Sequence, residues 1–263
     1  MSAEAEPPPL HRRGRPGDRP DPYAWKDTMT APPPRTDPSP RPLWVSVEGI
    51  NGVGKSTAAR AAAAALGDRC LLLDELTDQA GDTLPGRVIA ALAADGDVCL
   101  RTGHPVVETL ALLALKVREA ERLADRYPAG VDVVLEDRGL DSVAVCQAAI
   151  LADHYGETDP AALARYVLST ARAWSRLPDA TVWLTGDRTV CTDRFAARIG
   201  RTLAPRNLEV IHRTDDLYHV LASDEPDRYT TIDTTGWPPH ETASAVEHRV
   251  RELLREREVA RVA

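Results

Sequence analysis

Apolar residues along this chain fall into five short, dense runs, separated by longer stretches in which they recur every three or four positions. The runs Leu43-Trp44-Val45-Ser46-Val47, Cys70-Leu71-Leu72-Leu73, residues 131–135, Thr181-Val182-Trp183-Leu184 and Tyr229-Thr230-Thr231-Ile232 predict strands. Helical spacing predicts helices over 57–66, 104–126, 141–152, 160–175, 188–198, 207–222 and 239–256, with Asp159 and Pro160 as the cap and first position of the fourth. A weaker helix over 82–95 is interrupted by Pro85 and Gly86. The Val/Leu density of 131–135 suits a parallel strand buried on both faces. Strands alternating with helices predict an α/β fold, a parallel sheet covered on both faces, with ligands at the carboxyl ends of the strands. There is no internal repeat.

Composition sets the first 42 residues apart. They hold twelve of the 21 prolines and the run His11-Arg12-Arg13-Gly14-Arg15, with almost no aliphatic side chains. Such a segment buries too little apolar surface to offset its ordering entropy and predicts a disordered tail. The rest, about 220 residues, suffices for one domain with a large core. A net charge of −8 argues against a nucleic-acid partner. Cys70, Cys99, Cys146 and Cys191 lie far apart with no C-x-x-C, which predicts reduced thiols in a cytoplasmic protein rather than a zinc site or disulfides. With no run of eighteen apolar residues, no membrane association is expected.

The chemistry concentrates after the first strand. Gly49-Ile50-Asn51-Gly52-Val53-Gly54-Lys55-Ser56 is a complete G-x-x-x-x-G-K-S loop between a strand and a helix, the context the motif requires. Its glycines let successive backbone amides turn inward around phosphate oxygens, and the helix N-terminus adds partial positive charge. Gly49, Asn51, Gly52, Val53, Gly54, Lys55, Ser56 and Thr57 are therefore the expected nucleoside triphosphate site, with Lys55 at the β/γ-phosphates and the Ser56 hydroxyl on Mg²⁺. At the end of the third strand, Asp137 would hold the Mg²⁺ and its water, with Glu136 as the alternative, since strand alternation turns only one of them to the site. Arg138 would grip an acceptor phosphate.

Two further segments carry a family likeness. Glu136-Asp137-Arg138, followed by Ser142 and Gln147, resembles the D-R-x-x-x-S-x-x-x-x-Q segment of thymidylate kinases, and residues 183–194 resemble the same family's passage into its lid. The opening Glu48-Gly49-Ile50-Asn51-Gly52-Val53-Gly54-Lys55-Ser56-Thr57 is similar as well. The resemblance implies a phosphate-loop NTPase of three α/β/α layers, with a five-stranded parallel sheet and a lid segment over about 195–207, spanning 43–257 before a short tail, 258–263. It further implies ATP and Mg²⁺ as donor and metal, a nucleoside monophosphate as acceptor, and a homodimer. By the same likeness Arg194, Arg198 and Arg201 would come from the lid, and Lys116, Leu112, Ser142, Gln147 and Tyr218 would meet the acceptor. Gly52 stands where some members carry an arginine, so here the lid would have to supply that charge.

The likeness weakens on the acceptor side. Where the family's second strand ends in Arg-Glu-Pro, this chain has Asp74-Glu75-Leu76, and an acid beside an acceptor phosphate is repulsive. Leu112 replaces a base-stacking phenylalanine, Cys146 a tyrosine, and no aromatic residue occurs between Trp44 and Tyr127, so Tyr155, Tyr166 or Trp174 would have to substitute. Glu75 also suits a general base toward a hydroxyl, as in the related deoxynucleoside kinases. Three readings stay open: a nucleoside monophosphate kinase, a kinase of nucleosides or other small alcohols, and a non-catalytic nucleotide-binding regulator.

Overall fold

The computed structural model describes residues 41–262 apart from 79–81, 94–95, 125–126, 128 and 157; the expected disordered tail over 1–42 lies almost entirely outside the described residues. The strands are β1 Leu43–Glu48, β2 Cys70–Leu73, β3 Val133–Asp137, β4 Ala180–Thr185 and β5 Tyr229–Asp233. They form one five-stranded sheet in the order β2-β3-β1-β4-β5, with every pairing parallel. The helices are α1 Lys55–Leu66, α2 Leu84–Leu92, α3 Pro105–Ala124, α4 Leu140–Tyr155, α5 Pro160–Trp174, α6 Arg188–Ile199, α7 Pro205–Asp224 and α8 Pro239–Val262. Among the described residues no helix is long and apolar enough to cross a membrane.

Side-chain alternation along the central strands divides the molecule into two cores. Val45, Val47, Val133, Leu135, Val182 and Leu184 pack with α1, α6 and α8, where Ala58, Ala59 and Ala62 bring α1 close to the sheet. Residues of opposite parity face α4, and on β1 and β4 these include Ser46, Glu48 and Thr181, all fully buried. The Ser46 and Thr181 hydroxyls lie 3.2 Å apart, and Thr181 donates to Asp141 of α4 at 2.9 Å. Arg228 closes the network with two bonds to the Asp141 carboxylate, at 2.6 and 2.8 Å.

The elements differ from the sequence expectation chiefly at their ends. Pro85 and Gly86 do not interrupt α2: Pro85 falls in its first turn, where the missing amide has no helical partner anyway, and Thr83 caps the helix by accepting from Gly86 N. The third strand runs to Asp137 rather than stopping at residue 135, because Val47 pairs with Asp137 in the parallel ladder. The C-terminal helix continues through Val262, past the expected domain end at residue 257. Pairs such as Arg249–Glu256 and Arg251–Glu247 hold a stretch with little apolar surface in helical form. The lid expected over 195–207 is mostly helix: α6 ends at Gly200, φ 65°, and α7 begins at Pro205.

Arg228→Leu leaves the buried Asp141 carboxylate without its cation. We expect a loss of about 3–5 kcal/mol in urea unfolding, largely recovered when Asp141→Asn is added.

Candidate functional site

The phosphate loop leaves β1 at Glu48 and enters α1 at Lys55, so its amides lie at the carboxyl edge of the sheet. Gly49, Gly52 and Gly54 have φ of 137°, 85° and 108°, a region closed to most side chains. At Gly52 sterics add to strain: a Cβ would stand 1.9 Å from the Cys191 carbonyl oxygen of α6. That contact explains why no arginine occupies this loop position. Lys55 is buried, and its ammonium donates to the Ile50 carbonyl at 2.8 Å. Burial, aided by Arg138, pushes its pKa down to about 7, while Glu75, Asp137 and Glu48 oppose the shift.

Strand parity decides between the two acids of β3. Glu136 turns toward α3 and accepts from Trp44 Nε1 at 2.8 Å and from Lys116 Nζ at 2.6 Å. Asp137 turns toward the phosphate loop. Both of its carboxylate oxygens are buried without a hydrogen-bond partner among the described residues. Burial raises its pKa; the Ser56 hydroxyl is near enough to oppose the shift without meeting hydrogen-bond geometry. A buried carboxylate with no protein partner, beside a serine hydroxyl, is an oxygen pair that fits a hard divalent cation. No group of three or more His, Cys, Asp or Glu suited to a metal occurs among the described residues, so such a cation would complete its shell with water or phosphate oxygens.

Two cavities open from this edge. One, of about 290 Å³, is lined by residues 52–57 of the loop, by Arg194 and Arg198 of α6, and by Thr234 and Trp237 of the turn after β5. The other, of about 150 Å³, is largely apolar, with Leu112, Gln147 and Ile150 among its walls and Val98 to Leu100 closing one side. Glu75 and Arg138 line both. Arg138 Nε lies 3.0 Å from a Glu75 carboxylate oxygen, and its Nη2 donates to Asn51 of the phosphate loop. Although burial works against charge, Arg138 and Lys55 hold the Glu75 carboxyl below its ordinary range.

The structure brings together Lys55, Ser56, Thr57, Glu75, Asp137, Arg138, Arg194 and Arg198, and it places Leu112, Ser142 and Gln147 in the apolar cavity. Three expected residues are positioned otherwise. Arg201 follows the Gly200 turn, which breaks the helical spacing from Arg198, and it donates to the Gly96 carbonyl at 2.9 Å, outside both cavities. Lys116 reaches the apolar cavity, but Glu136 and Glu119, the latter at 3.0 Å, neutralise it. Burial works against its charge, yet these carboxylates raise its pKa above the ordinary value. Tyr218 is fully buried against Trp183, ring centroids 6.0 Å apart, and contributes to neither cavity. Tyr155, Tyr166 and Trp174 are surface residues and supply no stacking platform to the cavities.

Sequence reasoning missed two residues. Trp237 stands in the wall of the larger cavity, and the signal for it was an aromatic residue directly after Gly236 in the turn beyond β5. Glu48 is the one charged residue of a fully buried strand, an anomaly in itself. Its carboxylate accepts from Gly139 N at 2.7 Å, from Tyr218 OH at 2.9 Å and from Ser142 Oγ. Burial first, then Asp141, raises its pKa to about 7. The folded pKa exceeds the unfolded one, so this group's contribution to stability is complete below the ordinary carboxyl range and lost as pH rises toward 7. Glu48→Gln removes the titration. Between about pH 5 and pH 8 the stability difference should therefore move in the variant's favour by on the order of 2–3 kcal/mol in thermal scans.

A family model for thymidylate kinase matches residues 47–243. Among solved structures, the thymidylate kinase of Ehrlichia chaffeensis superposes with a TM-score of 0.56 at 17% sequence identity, over 81% of this chain and 99% of that one, a likeness of fold. No curated protein matches the sequence. With the phosphate loop at the carboxyl edge of a 2-3-1-4-5 parallel sheet and three quarters of its length matching one family, the chain belongs to the thymidylate kinase family.

Proposed function

We propose that this protein is a nucleotide kinase that transfers the γ-phosphoryl group of ATP to a nucleoside monophosphate, dTMP or a related nucleotide. One observation carries the reading: the phosphate-loop cavity and the apolar cavity share Glu75 and Arg138. A donor seated on the loop and an acceptor seated against Leu112 and Gln147 would meet at that pair. The loop amides and Lys55 hold the donor's terminal phosphates, and Arg138 stands between the two substrates. Arg194 and Arg198 flank the donor from α6. An ionised acceptor phosphate needs no base, so catalysis here is positioning and charge neutralisation along the line of transfer. Ser56 and Asp137 are the residues that would hold Mg²⁺, which supplies further neutralisation across the phosphates.

A second reading has a specific observation behind it. Lys116 is neutralised by two carboxylates and Arg138 faces Glu75, so the acceptor cavity offers a dianionic phosphate little uncompensated positive charge. An acceptor with a free hydroxyl at that end would instead meet the Glu75 carboxylate as a base.

A panel of nucleosides and monophosphates, read by ADP formation, distinguishes the two. On the first reading a monophosphate is the best acceptor, Arg138→Ala raises its KM by about 10- to 100-fold, and Glu75→Gln changes kcat by less than about threefold. A nucleoside as best acceptor, with kcat falling by 10²-fold or more in Glu75→Gln at unchanged KM, reverses the assignment. Mg·ATP binding without ADP formation from any acceptor would make the protein a nucleotide-binding regulator.

Asp137→Asn should have opposite effects on stability and activity. Removing an unpartnered buried charge raises the melting temperature of the ligand-free protein. The same change should cut turnover by at least about 10²-fold and shrink the stabilisation that Mg·ATP confers.

A further inference from the structure

Arg138 is one of two described non-glycine residues with positive φ, at 65°, a left-handed conformation that strains an ordinary residue. Strain of that kind persists only where the surroundings over-determine it. Here consecutive residues of β1 pin the turn on both sides. Arg138 N donates to the Val47 carbonyl at 3.2 Å, and Gly139 N donates to the Glu48 carboxylate at 2.7 Å. Space enforces the same register: a Cβ on Gly139 would approach Glu136 Oε2 to 2.8 Å and Glu48 Oε1 to 3.2 Å. The other Glu48 oxygen binds Ser142 of α4 and Tyr218 of α7, and these two hydroxyls lie 2.7 Å apart. No cation pairs with Glu48 within ion-pair distance among the described residues, so its burial is offset by these three donors alone.

The geometry points to Glu48 as a positioning residue that acts through Arg138. By fixing the Gly139 amide it locks the Arg138 turn, so that the guanidinium spans the two cavities at Glu75 and Asn51. Because Glu48 directly precedes Gly49, one strand end sets both the phosphate loop and the arginine that reaches it. Ser142 and Tyr218 then serve the site indirectly, by holding the Glu48 carboxylate. The effect on turnover rests on the kinase reading proposed above; the effect on the turn does not.

The test is a double-mutant cycle in kcat/KM for the acceptor, with Glu48→Gln, Arg138→Lys and their combination. Glutamine keeps the shape but presents one oxygen and an NH₂ to three donors. Glu48→Gln alone should lower kcat/KM about 10- to 100-fold with the affinity for Mg·ATP changed less than twofold, and in the Arg138→Lys background it should cost less than about threefold. Equal fold-changes in both backgrounds, or full activity in Glu48→Gln, would overturn the inference. Amide hydrogen exchange provides a readout independent of turnover: Gly139 should exchange about tenfold faster in Glu48→Gln, and in the milder Ser142→Ala to a lesser degree. A wild-type protein that phosphorylates no acceptor removes the kinase reading alone. In that case unchanged Gly139 exchange still refutes the role of Glu48, and faster exchange sustains it.

Discussion

The two-residue period of a buried parallel strand is the constraint from which the site follows. β1 is covered on both faces and flanked by β3 and β4, so each of its side chains and each neighbour's must belong to one core or the other. On β3 this sends Asp137 to the phosphate loop and Glu136 to Lys116, although the two acids are adjacent and chemically alike. On β1 it sends Glu48 to the α4 side while Gly49 begins the loop. A one-residue slip in register would exchange these roles, which ties the chemistry to the packing of Val45, Val47, Val133 and Leu135.

Charge compensation then shapes what the apolar cavity can hold. Arg138, expected at a phosphate from its place at the strand end, and Lys116, expected there from the family resemblance, are each met by carboxylates of the chain, Lys116 by Glu136 and Glu119, Arg138 by Glu75. Lys116 cannot leave Glu136 without exposing a buried acid to an uncompensated environment. Arg138 is different, because its partner Glu75 sits in the walls of both cavities, where a substrate can compete for the guanidinium. On the kinase reading proposed above, the acceptor side would be governed by one exchangeable ion pair rather than by a row of free arginines.

Much of this was legible in the sequence because its signals are local. The strand–loop–helix context of residues 43–66 identified the phosphate loop, and dense apolar runs located all five strands. Capping chemistry placed α5 correctly, with Asp159 accepting from Ala161 N and Ala162 N. What failed was non-local. Arg201 continues the spacing of Arg194 and Arg198, and nothing local says that Gly200 turns the chain away from the cavity. Lys116 and Glu136 are twenty residues apart, and only the packing of α3 on β3 makes them partners. Tyr218 matched a family position, yet its hydroxyl meets a carboxylate 170 residues away.

The buried acids show where stability has been given up. Among the described residues these are Glu48, Glu108, Glu136, Asp137, Asp141 and Asp215. Glu136, Asp141 and Asp215 each hold a cation within ion-pair distance, Lys116, Arg228 and Arg188 respectively. Glu108 caps the start of α3, accepting from Thr102 N at 2.6 Å and from His104 N at 3.1 Å. Like Glu108, Glu48 and Asp137 have no cation within ion-pair distance among the described residues; both flank the phosphate loop at strand ends, Glu48 with three donors on its carboxylate and Asp137 with none. An uncompensated buried carboxylate is among the more costly features a fold can retain. With Glu48 and Asp137 bracketing one loop, two of the three cation-free buried acids stand at the β1–β3 edge, beside the candidate site. That distribution requires no knowledge of the acceptor, and it sets Glu48 beside Asp137 as an acid kept at the site's edge, the one satisfied by three donors and costly only as pH rises toward 7, the other without any protein partner among the described residues.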